Sequence, residues 1–165
     1  MSFKQSTICY RQTDFWCLWH EPEQRYFILE WYQPPTSREF RKVALLLLEG
    51  MRTEACFAFL HDVTRLGVLD DDDTRWISGV WLPQALRIGF CRNAIFIPPT
   101  HPIHWANYED RIVQAERVDG GRVARQAFTS LEAARAWLEE DRLAPWLAAH
   151  APQAAQRVKT LANNP

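Results

Sequence analysis

Two strand-length, mostly apolar runs, ACFAFLH at 55–61 and CRNAIFI at 91–97, limit what this chain can fold into more than any other feature. Neither alternates regularly between apolar and polar residues, so neither has a face suited to water. Runs of this kind are buried on both sides, as in parallel sheets whose connecting helices cover the faces. The segments leading into them carry the matching helical period. Pro34-Pro35 breaks the preceding strand, Thr36 or Ser37 can cap, and Phe40, Val43, Ala44, Leu47 and Met51 recur at three- and four-residue intervals. This predicts a first helix over about 37–50, ending at Gly50. Trp76, Ile77, Val80, Trp81, Ala85 and Ile88 share one broad stripe and predict a second over about 72–88, ending at Gly89, with Pro83 an internal irregularity able to kink it.

Upstream, Phe15 to His20 and Tyr26 to Tyr32 alternate aromatic with other residues across the turn-like Glu21-Pro22-Glu23-Gln24, an antiparallel hairpin. Downstream, Pro98-Pro99 stops the second apolar run, and a helix is expected over Trp105 to Glu116. Asp119-Gly120-Gly121 turns the chain into a short strand, Val123 to Phe128. Ser130 then caps a short amphipathic helix carrying Leu131, Ala134, Trp137 and Leu138, with Glu132 in its first turn. The order β-β-α-β-α-β-α-β-α implies an α/β fold: a mixed sheet that opens with an antiparallel hairpin and continues with alternating helices and strands, about five strands and four helices.

At 165 residues and 47% hydrophobic, the chain can bury one sizeable core. The expected organisation is an N-terminal extension over 1–13, one domain over 14–140, and a C-terminal helical segment and tail over 141–165, interrupted by Pro145 and Pro152. A net charge of −1 supplies no field to attract nucleic acid or an anionic membrane, although 16 of the 19 cations are Arg. The longest aliphatic run, Val43 to Leu48, falls far short of the ~20 apolar residues a membrane span needs, and the first residues contain no apolar stretch of signal-peptide length. A soluble, cytoplasmic protein is expected. Cys9, Cys17, Cys56 and Cys91 form no C-x-x-C pair and read as reduced, mostly buried thiols acting as small apolar residues.

The stretch GVLDDDDTRW at 67–76 asks for chemistry. Asp70, Asp72 and Thr74 have the 1-3-5 spacing of a calcium loop, but Arg75 stands where a glycine must turn and Trp81 where a bidentate Glu is needed. Asp70-x-Asp72-x-Thr74 also imitates the nucleophile motif of haloacid-dehalogenase-type phosphatases. That chemistry further requires a downstream Lys and a second acidic pair for magnesium; Lys159 lies in the expected tail, and Glu109-Asp110 has no strand leading into it. The structural account is that Asp71 or Asp72 caps the second helix while its neighbours meet the positive end of the helix dipole. Capping needs one or two carboxylates, so the surplus calls for a second role.

Asp62 closes the first apolar run and Asp70 follows eight residues later, with Leu66, Val68 and Leu69 apolar between them. That spacing resembles the STAS domain, the fold of anti-sigma-factor antagonists, in which a strand ends in Asp and a loop leads to Asp-Ser-Ser-Gly at a helix start. The closing FTSLEAARAWL at 128–138, and Trp76 to Leu86, look like the corresponding parts of small bacterial STAS-like (SpoIIAA-like) proteins, so the resemblance covers about residues 14–140. In the regulatory members the second serine of the motif is phosphorylated by a partner kinase. Here Asp72 falls on that serine, flanked by Asp71 and Asp73, which puts an ordinary phosphorylation switch in doubt and leaves Thr74 as an alternative phosphosite.

The resulting expectation is a non-enzymatic regulatory or protein-interaction module in which Asp70, Asp71, Asp72, Asp73 and Thr74 face a protein partner with a basic surface, with no cofactor and no metal. His101 and His104 stand three apart, but Pro102 between them and the lack of a nearby Cys or carboxylate favour a loop. His61 and Asp62 are adjacent on a strand and point to opposite faces, so they make a poor acid-base pair. Trp16, Trp19 and Trp31 crowd the hairpin, whose outer face needs a cover: the segment around Trp146 and Leu147, or a second subunit in a homodimer. The alternative is a carrier of a small nucleotide or lipid, its site lined by the Trp-rich hairpin or the Pro98-Pro99 loop; a magnesium-dependent hydrolase using Asp70 ranks behind it.

Overall fold

A computed structural model describes residues 6–100 and 102–140, with the backbone alone for 102–107 and 109–111. Its centre is a six-stranded sheet in which spatial order follows chain order: β1 (Ile8–Gln12), β2 (Trp16–Glu21), β3 (Tyr26–Trp31), β4 (Ala58–Asp62), β5 (Arg92–Phe96) and β6 (Ala124–Phe128). The first three run antiparallel; β3 to β6 are parallel. The fold is therefore α/β with a mixed sheet opening on an antiparallel hairpin, as the hydrophobic pattern implies. β1 is a strand beyond those expected and pairs with β2 from within the segment set apart as an extension; its bulge between Cys9 and Arg11 and mostly exposed side chains mark it as an edge.

Parallel neighbours need a crossover, and right-handed crossovers advancing in one direction all fall on one face. That face carries α1 (Ser37–Thr53), the continuous rod made of α2 (Asp71–Trp76), a π-helical segment (Ile77–Trp81) and α3 (Leu82–Ile88), and α4 (Pro102–Asp119). Trp16, Leu18, Phe27, Leu29, Trp31 and Phe59 meet these helices in the larger core. The opposite face, with Tyr26, Ile28, Ala58, Leu60 and Ala94, is covered by α5 (Leu131–Glu139) lying over β4, β5 and β6.

Several boundaries differ from the pattern for identifiable reasons. The first helix does not stop at Gly50 but runs to Thr53, because this glycine serves packing: a Cβ there would sit 2.8 Å from the Phe27 ring. The turn out of the helix is made by Ala55 at φ 52°, so β4 begins at Ala58. Pro83 has no N–H for the carbonyl four residues before it, and the ladder resolves this by widening to a π turn, in which the Leu82 N–H bonds the Ile77 carbonyl. The expected irregularity is thus a π bulge, and the rod ends at Gly89 in the left-handed conformation. Ser130 caps α5 through the Ala133 N–H at 3.3 Å.

The α5 face is fastened by polar groups. Glu21 is fully buried and accepts from Arg135 at 3.2 Å and from the Ser6 and Thr7 hydroxyls. Tyr26 donates to Glu139 at 3.0 Å. Arg92, also buried, donates to the carbonyls of Trp137 and Glu140 at the end of α5 and stacks its guanidinium 4.1 Å from the Trp137 ring.

Candidate ligand-binding cavity

The larger core is not completely filled. Between the sheet and the helices of the crossover face lies a cavity of about 200 Å³. α1 contributes Phe40, Val43, Ala44 and Leu47; the loop after β4 contributes Val63, Leu66 and Leu69; the rod contributes Ile77, Trp81 and Leu82; α4 contributes Ile112 and Ala115. These are helix-stripe and loop residues that any buried face of this period would carry. What they fail to do is interdigitate, and the π segment supplies Ile77, Ser78 and Trp81 to this wall.

The sheet floor is less uniformly apolar. Beside Leu29, Phe59 and Ile95 it presents His61 on β4, Asn93 on β5 and Arg125 on β6; Tyr108 overhangs from α4, and Thr74 and Ser78 from the rod. The parallel register puts Asn93 next to Phe59 on one side and Arg125 on the other. His61 Nε2 accepts from Trp31 Nε1 at 2.9 Å, which places the ring proton on Nδ1. The Asn93 amide nitrogen donates to the Phe59 and Ala94 carbonyls at 3.3 and 3.4 Å. Arg125 pairs with Asp119, whose side chain is wholly buried and also accepts from the Gly121 N–H at 2.7 Å. Burial pushes the Tyr108 phenol above its usual range, so it remains a neutral hydroxyl. On the roof, Trp81 Nε1 donates to the Ala44 carbonyl at 2.6 Å, tying the π segment to α1.

The acidic helix start lies at the rim, and its geometry accounts for most of the carboxylates. Asp62 ends β4 and takes the Thr64 N–H at 2.9 Å, and the helix begins eight residues on, as the spacing suggests. The cap, however, is Asp70 and not Asp71 or Asp72: its Oδ1 accepts from the Asp73 N–H at 2.7 Å and its Oδ2 from the Ser37 hydroxyl at 3.1 Å. The chain leaves the loop one residue earlier than a cap at Asp71 requires, which lets Asp70 bridge to the start of α1. These hydrogen bonds, the one from the Asp73 backbone first, hold the Asp70 carboxyl below its ordinary range. Asp73 is turned inward and pairs with Arg41 of α1 at 2.6 Å, while that guanidinium lies 5.4 Å from the Trp76 ring. Asp72 pairs with Arg75 one turn on, and the Thr74 hydroxyl donates to the Asp70 carbonyl at 2.9 Å. Asp71 and Asp72 are exposed.

The remaining sequence candidates separate cleanly. His61 and Asp62 point to opposite faces, the histidine to the cavity and the carboxylate to its own turn. Cys17, Cys56 and Cys91 are buried and Cys9 is exposed on β1, all four free, and burial pushes the Cys56 and Cys91 thiols up to about 12. Trp16 and Trp31 are buried under α1, and Trp19 is half-buried on the α5 face, donating to Glu30 at 3.1 Å. Among the described residues no group of three His, Cys, Asp or Glu is placed to hold a metal ion, and no helix is long and apolar enough to cross a membrane. His101, the side chains of His104, Glu109 and Asp110, and the segment containing Trp146, Leu147 and Lys159 lie outside the described residues.

Comparison of the chain with protein-family models, with curated proteins and with solved structures gives no match. Asn93, the amide on the cavity floor, carries no motif. The signal available for Asn93 is its place as an amide inside a run otherwise suited to burial, where an apolar residue is the default.

Proposed function

We propose that this protein is a non-enzymatic binding module that holds a small, mostly apolar ligand between its sheet and the helices of the crossover face. The observation that carries this reading is the cavity itself. Protein interiors are packed about as densely as organic crystals, and a partly open, mostly apolar pocket of about 200 Å³ beside the main core leaves its lining without those dispersion contacts. A ligand restores them. The polar side chains concentrated on the sheet floor supply orientation, which is the composition expected of a ligand site. Native mass spectrometry of freshly purified protein tests this: a small co-purifying mass, lost when Ala44 is enlarged to Leu, is the expected result, and a bare chain that also ignores added apolar probes counts against it. A STAS-like regulatory role and a cytoplasmic location belong to the same proposal, with the ligand in place of a phosphate as the input.

A second reading is favoured by the exposure of Asp71 and Asp72 at the cavity rim. Here the helix start formed by Asp70, Asp71, Asp72, Asp73 and Thr74 receives a protein partner with a basic surface. Asp71→Asn with Asp72→Asn keeps the Asp70 cap and the Asp73–Arg41 pair, so the fold survives while such a partner is lost; a pull-down whose partners are unchanged removes this reading. A homodimer through the hairpin is proposed from the edge strand β1, where Ile8 is 54% exposed. Light scattering that gives a monomer at micromolar concentration excludes it.

A further inference from the structure

We infer that the cavity takes an uncharged molecule: a single aromatic or alicyclic ring bearing one hydrogen-bond donor, such as a hydroxyl, which Asn93 accepts. This rests on the cavity being a ligand site and names the chemistry it selects. Size is the first constraint. An apolar void of about 150 Å³ holds a benzene molecule, so about 200 Å³ encloses one ring with a short substituent and is too small to enclose a nucleotide or a long acyl chain.

Charge is the second constraint. Arg125 is the one Lys or Arg among the described lining residues, and its guanidinium is already paired with the fully buried Asp119. A ligand carboxylate joining that pair would bury a second anion against a single cation, which the cost of desolvation disfavours. An ammonium fares no better, because the described lining contains no Asp or Glu. His61 already uses its Nε2 to accept from Trp31. Among the described lining residues an ion of either sign meets no Asp or Glu and no Lys or Arg beyond the paired Arg125 to offset its desolvation, whereas a neutral ring needs none.

Polarity of the hydrogen bond is the third. The Asn93 side chain is buried in the floor and its amide nitrogen is directed to two backbone carbonyls, which leaves the amide oxygen as the acceptor for a ligand donor. Its position between Phe59 and Arg125 sets that acceptor beside an aromatic surface against which a ring can lie.

Isothermal titration and amide NMR of the full chain with four matched probes test this: toluene, benzyl alcohol, benzoate and benzylammonium. Benzyl alcohol is expected to bind at least ten times more tightly than either ion and several times more tightly than toluene, with shifts centred on β4, β5 and the π segment. Asn93→Leu should abolish the preference for the alcohol over toluene while leaving toluene bound. Benzoate or benzylammonium binding as tightly as the alcohol overturns the inference and leaves the cavity reading intact. Equal binding of alcohol and toluene by the parent chain overturns the role of Asn93, with no need for the variant to fold. Failure of all four probes to perturb any cavity residue overturns the reading and the inference together.

Discussion

The two faces of the sheet solve the same covering problem in opposite ways. The crossover face receives three helical elements and the bulk of the apolar side chains, yet retains an unfilled pocket. The α5 face receives one nine-residue helix and a small apolar cluster, and closes with buried polar contacts: Arg135 to Glu21, Tyr26 to Glu139, and Arg92 to the end of α5. Apolar area is non-directional and can leave a gap at a cost in lost contacts, whereas buried ion pairs and hydrogen bonds fix geometry and fail sharply when a partner is missing. The face with more hydrophobic material is the adaptable one, and the sparsely covered face is the rigid one.

The largest expected effect comes from breaking the rigid face. Arg135→Ala leaves the Glu21 carboxylate buried with only the Ser6 and Thr7 hydroxyls, and loss of a buried partner of this kind costs about 3–5 kcal/mol. Urea unfolding should therefore show a sharply lowered midpoint; a change below about 1 kcal/mol would mean that the Arg135–Glu21 pair does not hold α5 in place. Next is one substitution made on both faces. Ala94→Leu, at a fully buried position packed in the cluster beneath α5, should lose about 1–3 kcal/mol by overpacking. Ala44→Leu, facing the cavity, should instead raise stability by about 0.5–2 kcal/mol in the ligand-free protein, as read by thermal denaturation. Equal losses at the two positions would erase the distinction.

A smaller effect is expected within the adaptable face. Trp31→Phe deletes the indole N–H that bonds His61 and should cost about 0.5–1.5 kcal/mol, with a visible change in the His61 ring resonances. The smallest concerns acid. Asp70 has a folded-state pKa below the unfolded value of about 3.9. Its charge therefore contributes to stability fully above that value and ceases to do so as the pH falls through the folded one. Asp70→Asn keeps a capping side chain without the titration, so its melting temperature between pH 5 and pH 2 should fall less than that of the parent.

The fold was legible where periodicity is strong. The two apolar runs became β4 and β5, the hairpin became β2 and β3, and the helical stripes became α1 and the α2–α3 rod. β1 was not, because ICYRQ is an edge strand with little to bury and its alternation is interrupted by a bulge. Of the site, the acidic helix start was legible in place, since Asp followed by an apolar stripe is a local signal. Its internal division of labour was not, because the pairing of Asp73 with Arg41 joins residues 32 positions apart. The cavity left no trace in the pattern: its lining comes from β3 through β6 and every crossover helix, and each residue taken singly reads as core. Empty volume is a property of how side chains meet across elements, and no periodicity encodes it.

The sheet's spatial order, identical to its order along the chain, bears on how the molecule is made. As the polypeptide leaves the ribosome, every strand from β2 onward finds its first hydrogen-bonding neighbour already synthesised, so pairing can proceed stepwise without a strand being held open for a later arrival. Only α5, which clasps the second face, must await the final segment of the domain. Until then Tyr26, Ile28 and Leu60 stay uncovered on a nascent surface.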